Sequence, residues 1–405
     1  LMSVIGCLPF VINGDIPHFA DALFEMISGF TTTGATVVSD VEGLTKGSLF
    51  WRSFSHWIGG MGVLVFLLAI VPMAGGSHMN LMKAESPGPS VGKLVPKVRQ
   101  TAKYLYIIYF ALTMIEVIFL LFGGMNLFEA LTTSFGTAGT GGFAIWNDGF
   151  VSVSPYNQWV VTIFMLLFGV NFGFYFLILT GKLRDALKFE EVRIYFIIVI
   201  AAAVFIFINL RHFALYAPAE GIRQAFFQVA SIITTTGFAS ADFNLWPETS
   251  RTILVLLMFI GACAGSTGGG IKVSRFIIAC KSFIKEIISY LHPRSVKKIK
   301  IEGKPLEHET LRATNVYFMT YMVIFAVSVL LVSIENKDLV TNFAAVAATF
   351  NNIGPGLSLV GPMANFGHFT DFTKYILMFD MLAGRLEIFP MMLLFCPAVW
   401  KRRRA

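Results

Sequence analysis

The sequence predicts an all-α polytopic membrane protein: four helix–pore-helix–filter–helix pseudo-repeats arranged around a central ion pore. Three observations predict it: a scarcity of charge, apolar runs near the length of a bilayer, and a fourfold recurrence of a short helix ending in a glycine turn. The 405 residues are 56% hydrophobic and 14% charged, against roughly a quarter charged in globular domains. Mean hydropathy is +0.71. A hydrocarbon core about 30 Å thick takes roughly 20 apolar residues to cross as helix. A soluble enzyme, a disordered chain and a nucleic-acid-binding domain are excluded, although the net charge is +7. A β-barrel is excluded too, because its strands read as alternating segments of about ten residues.

The chain opens at Leu1 with an apolar run of about a dozen residues before Asn13-Gly14-Asp15. That is too short to span and lacks the basic flank of a signal peptide. The numbering is therefore expected to start inside a transmembrane helix whose upstream part is missing. Spanning runs follow at 49–74, 104–122, 159–180, 194–210, 252–288 (interrupted), 316–334 and 372–399. Between the members of each pair lies a shorter helical stretch of about ten to fourteen residues, the length of a re-entrant segment. These stretches include Phe19 to Glu25, Leu127 to Leu131, Ala225 to Ala230 and Phe343 to Ala347. Each leads into a turn: Thr31-Thr32-Thr33-Gly34-Ala35-Thr36, Gly139-Thr140-Gly141-Gly142-Phe143, Thr234-Thr235-Thr236-Gly237-Phe238, and Phe350-Asn351-Asn352-Ile353-Gly354-Pro355-Gly356. The organisation expected is repeat 1 at 1–75 with its first helix truncated, a linker at 76–103, repeat 2 at 104–182, and repeat 3 at 192–285 with a broken second helix. A second linker at 286–312 and repeat 4 at 313–405 complete it.

Charge sets the orientation. Most of the 31 Lys and Arg lie at 75–103, 182–193, 272–312 and in the tail Lys401-Arg402-Arg403-Arg404. All these segments follow the second helix of a repeat, so the positive-inside rule makes the linkers and C-terminus cytoplasmic. Lys297, Lys298, Lys300 and Arg294 suit anionic lipid or a cytosolic regulator. The opposite side carries Asp15, Asp21, Asp40, Glu42, Asp148, Asp242, Glu248, Asp338 and Asp371, an acid-rich mouth that concentrates cations. Trp51, Trp57, Trp159 and Trp246 fall near span ends and read as interfacial anchors.

Irregular backbone at membrane depth survives only where it is buried in protein or lines a wet path. Gly permits the positive φ that lets successive carbonyls point one way, and a ring of carbonyls can replace the hydration shell of a cation. The chemistry expected is selective conduction of an alkali cation, without covalent catalysis or cofactor. The run 252–288 is on the order of 55 Å as one helix at about 1.5 Å per residue. Its centre, Gly261 to Gly270, is too glycine-rich for stable helix, and Gly265, Ser266, Thr267, Gly268, Gly269 and Gly270 read as a break lining the conduction path or as a close-packing patch. It is no phosphate loop, since Gly270 is followed by Ile271-Lys272. Arg385 lies in an apolar span beside Asp380 and Glu387, as a buried ion pair or as a cation beneath the filter. Glu116 reads as a packing or headgroup-level acid. The cysteines Cys7, Cys263, Cys280 and Cys396 form no paired spacing and read as small buried apolar residues.

These blocks, with Trp51-Arg52-Ser53, Trp57-Ile58-Gly59-Gly60-Met61-Gly62, Cys263 to Lys272 and Gly384 to Phe389, resemble the Trk/Ktr/HKT superfamily of potassium transporters, specifically its Trk-type bacterial pore subunit. The resemblance covers essentially the whole chain. It implies potassium ligands from the carbonyls of Thr33, Gly34, Thr140, Gly141, Thr236, Gly237, Ile353 and Gly354; the doublet Gly141-Gly142 leaves a one-residue shift open. In the plant branch a Ser in the first turn accompanies sodium permeation, so Gly34 implies potassium selectivity. Gating by the broken loop and Arg385, a homodimer, a cytosolic nucleotide-binding regulatory subunit and residence in the bacterial inner membrane are implied as well. A secondary transporter with a midplane site would show two broken helices in inverted halves, and an intramembrane enzyme would need a nucleophile with its base; neither pattern is found.

Overall fold

The structure, a computed structural model, describes residues 1–62, 98–292, 298–386, 388–393 and 396–397. The inner part of the span at 49–74, the linker up to 97, Arg294, Lys297, Glu387 and the basic tail lie outside the described residues. Repeat 1 contains α1 (Met2–Asn13), α2 (Phe19–Phe30) and α3 (Lys46–Gly60). Repeat 2 contains α4 (Val98–Phe122), α5 (Leu127–Gly139), α6 (Pro155–Phe168) and α7 (Phe172–Leu179), and the short α8 (Leu183–Ala186) leads on from it. Repeat 3 contains α9 (Glu190–His212), α10 (Pro218–Ile233), α11 (Glu248–Ile260) and α12 (Val273–Leu291). A two-residue hairpin, Lys300–Ile301 against Lys304–Pro305, precedes repeat 4. That repeat contains α13 (His308–Val332), α14 (Leu339–Phe350), α15 (Asp371–Arg385) and α16 (Ile388–Leu393).

The apolar faces are distributed as a bilayer demands. The long helices α4, α9 and α13 leave most of their apolar surface outside, with only 33%, 33% and 28% of their spanning windows buried. Ile107, Phe110, Ile197, Phe205, Met322 and Leu330 point outward. The short helices α2, α5, α10 and α14 are the reverse. Their C-terminal halves are almost wholly buried and rich in Ser, Thr and Ala. Small side chains let the long helices close around them, and the aromatic stack of Tyr321 on Phe350 (4.5 Å between centroids) seals one such contact. Caps fix where the short helices begin. Asn126 and Glu129 form a reciprocal capping box on α5, and Asp338 caps α14 through the Thr341 amide at 2.9 Å.

Two apolar runs that read as continuous spans are interrupted. The run 159–180 divides at Gly169-Val170-Asn171, where α6 and α7 bend by 89°. The run 372–399 leaves helix at Leu386 (φ −80°, ψ 152°) before α16. The break expected in repeat 3 is present between Ile260 and Val273. At 16 residues α10 exceeds the length expected of a short helix, with Pro218 and Ala219 extending its outer end by about half a turn. The breaks in repeats 2 and 3 satisfy each other's backbone. Gly169 O accepts from Cys263 N (3.1 Å), and Phe172 N donates to Gly265 O (2.9 Å). Neither break could stand alone in hydrocarbon, where each orphaned polar group costs several kcal/mol.

Candidate ion pathway

All four short helices end in the same way. The residue after the cap adopts left-handed backbone: Thr32 (φ 53°), Thr140 (55°), Thr235 (58°) and Asn352 (55°). Its amide bonds three residues back, to Gly29, Thr137, Ile232 and Thr349, and the next amide bonds five residues back, to Ser28, Gly136, Ser231 and Ala348, at 2.8–3.1 Å. This pair of bonds is a Schellman motif. A β-branched residue in left-handed backbone is strained by about 1–3 kcal/mol, and three of the four positions hold Thr. Two of these threonines reach the layer below. The Thr235 hydroxyl accepts from Gly269 N, and the Thr140 hydroxyl donates to Thr267 O at 2.8 Å.

Two residues further on, each chain has a positive-φ glycine: Gly34 (79°), Gly142 (78°), Gly237 (81°) and Gly354 (94°). The four close on one another in a circle. A Cβ built on Gly34 would fall within 3.0 Å of Gly141 O, on Gly142 within that distance of Thr236 O, on Gly237 of Ile353 O, and on Gly354 of Thr33 O. Each turn thus abuts the next, and the fourth returns to the first. The second turn takes the one-residue shift. Thr140 is the counterpart of Thr32, Thr235 and Asn352, so the matching pairs are Thr33–Gly34, Gly141–Gly142, Thr236–Gly237 and Ile353–Gly354. A cavity of about 120 Å³ above the ring is lined by Gly34, Gly142, Gly237 and Gly354 but not by Gly141. The C-terminal ends of four helices meet at this ring, where partial negative charge favours a cation.

The segments leaving the ring are tied from behind. Glu25 on α2 is fully buried, and accepts from Arg52 on α3 (2.7 Å), Thr36 Oγ1 (2.9 Å) and Val37 N (3.1 Å). The Arg52 guanidinium lies 4.2 Å over the Phe143 ring of the next repeat. In repeat 3 Gln228 takes the place of Glu25; with its amide turned so that the oxygen faces the exit segment, it accepts from Ser240 N and Ala241 N. The acids of the outer side are largely engaged in such ties. Asn147 joins Asp40 and Glu42, and its side chain holds the Asp40 carboxyl below the usual carboxylate range. Lys374 pairs with Asp21 at 2.5 Å.

Beneath the ring lies the irregular loop 261–272. A Cβ on Gly268 would meet Thr234 O at 2.9 Å, and one on Gly269 would meet Asn351 O at 2.8 Å. Gly265, Ser266 and Gly270 complete its turns, with Gly265 and Gly270 at φ 67° and 73° and the Ser266 hydroxyl donating to Cys263 O. One carboxylate oxygen of Glu191 accepts from Ala264 N (2.7 Å) and Ser274 N (3.0 Å), clipping both ends of the loop. Lys272, fully buried at φ 85°, donates Nζ to Gly268 O. Arg385 donates to Thr267 O (2.7 Å) and to Gly59 O and Gly60 O (2.8 Å each), so it bridges the loop to the end of α3. Asp380 is engaged elsewhere, by Ser328 at 2.6 Å. Glu116 is fully buried within the protein.

The sequence points to the turns, the loop and Arg385 and carries Arg52 and Lys272 only inside its family motifs, and it assigns no role to Glu25, His56 or Glu191. The available signal was their polarity within apolar or half-helical stretches; their partners are too distant in sequence to infer.

The TrkH family profile, described as cation transport protein, matches residues 1–402. The Trk system potassium uptake protein TrkH of Escherichia coli K12 is 38% identical over 99% of this chain and 84% of that protein. TrkG of the same organism, also named a Trk system potassium uptake protein, is 33% identical over 99% and 83%. The crystal structure of the potassium transporter TrkH from Vibrio parahaemolyticus superposes with a TM-score of 0.88 at 34% identity, covering 99% of this chain and 83% of that one.

Proposed function

The chain belongs to the TrkH family of cation transport proteins, and from that premise we propose that it takes up potassium through a filter made of the four ring turns. The closed ring carries this reading. In this reading eight carbonyls, two from each of Thr33–Gly34, Gly141–Gly142, Thr236–Gly237 and Ile353–Gly354, take the place of the water around a dehydrated cation. The relatives named for potassium uptake support potassium as substrate. No step needs a covalent intermediate, and the chain supplies conduction instead of catalysis.

In this reading the loop 261–272 and Arg385 form the gate. The loop lies under the ring, and Arg385 holds it to α3 through main-chain oxygens, placing positive charge on the exit path. The basic segments mark the cytoplasmic side of a bacterial inner membrane. The family resemblance supports a homodimer and a cytosolic nucleotide-binding regulatory subunit, with the basic stretch around Lys298 and Lys300 as one docking surface. Rescue of a potassium-uptake-deficient bacterium on low potassium tests the reading. Wild-type protein should restore growth, and Gly34→Ser or Gly237→Asp should abolish rescue or admit sodium. Rescue that survives changes at all four ring glycines overturns the filter assignment.

A further inference from the structure

The second ring turn differs from the other three at one position. Thr33, Thr236 and Ile353 precede their glycines with branched side chains that are anchored. Thr33 Oγ1 meets Thr31 Oγ1 at 2.8 Å and accepts from Asn352 Nδ2 at 2.9 Å. Thr236 Oγ1 meets Thr234 Oγ1 at 2.8 Å, and Ile353 is fully buried in the core. Gly141, at the matching place, has no side chain. The space is occupied by the His56 imidazole, reaching across from α3 of repeat 1. A Cβ on Gly141 would fall within 3.0 Å of three ring atoms of His56. Gly141 itself is outside the positive-φ region, so it is this ring, and not the backbone conformation, that excludes a side chain there.

His56 is fully buried, and its ring stacks on Phe143 at 4.2 Å and 21°. Its Nδ1 accepts from Phe143 N at 3.5 Å, on the exit segment of the same turn. The peptide units of Gly141 and Gly142 have the widest backbone freedom of any residue pair. Close packing from behind is what restrains them. The geometry points to His56 as the positioning residue of the second turn: it replaces in trans the side chain that Gly141 lacks, and so fixes that turn's carbonyls and the ion selectivity they set. The assignment rests on the ring being the filter.

The test uses the full chain reconstituted in liposomes, with rubidium and sodium fluxes measured side by side. His56→Ala should lower the rubidium-to-sodium ratio about tenfold, a change of about 1.4 kcal/mol in discrimination. His56→Gln keeps a flat side chain and an acceptor for Phe143 N, and should recover most of the ratio. Gly141→Thr alone collides with the imidazole and should lose rubidium flux; combined with His56→Ala it should recover, because the side chain is then supplied in cis. A wild-type ratio in His56→Ala overturns the assignment, as does a double variant no better than either single one. If His56→Ala fails to accumulate, His56→Gln and the double variant decide the matter. Gly237→Ser separates the two levels. If it leaves the ratio intact the filter reading itself fails, whereas a defect in Gly237→Ser beside a neutral His56→Ala removes only the role of His56.

Discussion

Gly34, Gly142, Gly237 and Gly354 combine positive φ with a neighbouring carbonyl where a Cβ would be. A side chain at any of them is opposed twice, by backbone strain and by collision with the adjoining turn. Gly142→Ala is accordingly expected to resemble Gly237→Ala, each reducing rubidium flux by about tenfold or more, since a loss near 1.4 kcal/mol is tenfold; comparable flux in Gly142→Ala and wild type would refute the register. Gly34 and Gly237 are legible in the sequence because a Thr-rich run followed by one Gly marks a turn, and Gly354 because Asn-Asn-Ile-Gly-Pro-Gly does. In the second repeat the doublet Gly141-Gly142 offers two registers, and the left-handed Thr140 and the positive φ of Gly142 decide between them. Thr rarely adopts that conformation, so no propensity argument finds it. Glu25 and Arg52 were likewise hidden, as a pair separated by 27 residues that meets only through packing. Trp57 and Trp246 show the converse. Both read as interfacial anchors, yet Trp57 stacks on Tyr109 and Trp246 is 3% exposed.

Helices that end inside the membrane are the recurrent element. The break in repeat 3 was legible from its glycines, which cost roughly 1 kcal/mol each in helix. The bend at Gly169 was not, because hydropathy sums composition and one Gly-Val-Asn leaves an apolar run looking continuous. That bend supplies hydrogen-bond partners to the loop 261–272, and Arg385 supplies a third attachment through Thr267 O. Arg385→Gln is therefore expected to raise rubidium flux several-fold at normal abundance, by releasing the loop and removing charge from the path; unchanged flux would refute the gate assignment. The caps of the short helices give a second element-scale expectation. Hydrogen bonds from the Thr341 hydroxyl and amide hold the Asp338 carboxyl below its ordinary range. A depressed folded-state pKa gives stability that is complete above the unfolded value and lost as pH falls through the folded one. Asp338→Ala should cost roughly 0.5–2 kcal/mol at neutral pH. Its thermal unfolding should also depend less on pH on the acid side than that of the wild type, and an equal dependence would show that the cap contributes nothing.

Over the whole molecule, four repeats of unlike sequence converge on one geometry: short helices with buried C-terminal halves, Schellman ends, and glycines that abut in a closed circle. The fourfold plan was legible because hydropathy and glycine spacing repeat along the chain. How the repeats attach to each other was not, since Arg52 over Phe143, Arg385 on Gly59, and Asn352 on Thr33 all join residues from different repeats. Those cross-repeat bonds tie the four repeats together around the ring. Anomalous diffraction from crystals grown in rubidium tests the filter reading most directly. The account predicts density on the axis between the carbonyls of Thr33, Gly141, Thr236 and Ile353, lost in Gly237→Asp; a ring empty of rubidium, with the ion bound only at the outer acids, would contradict it.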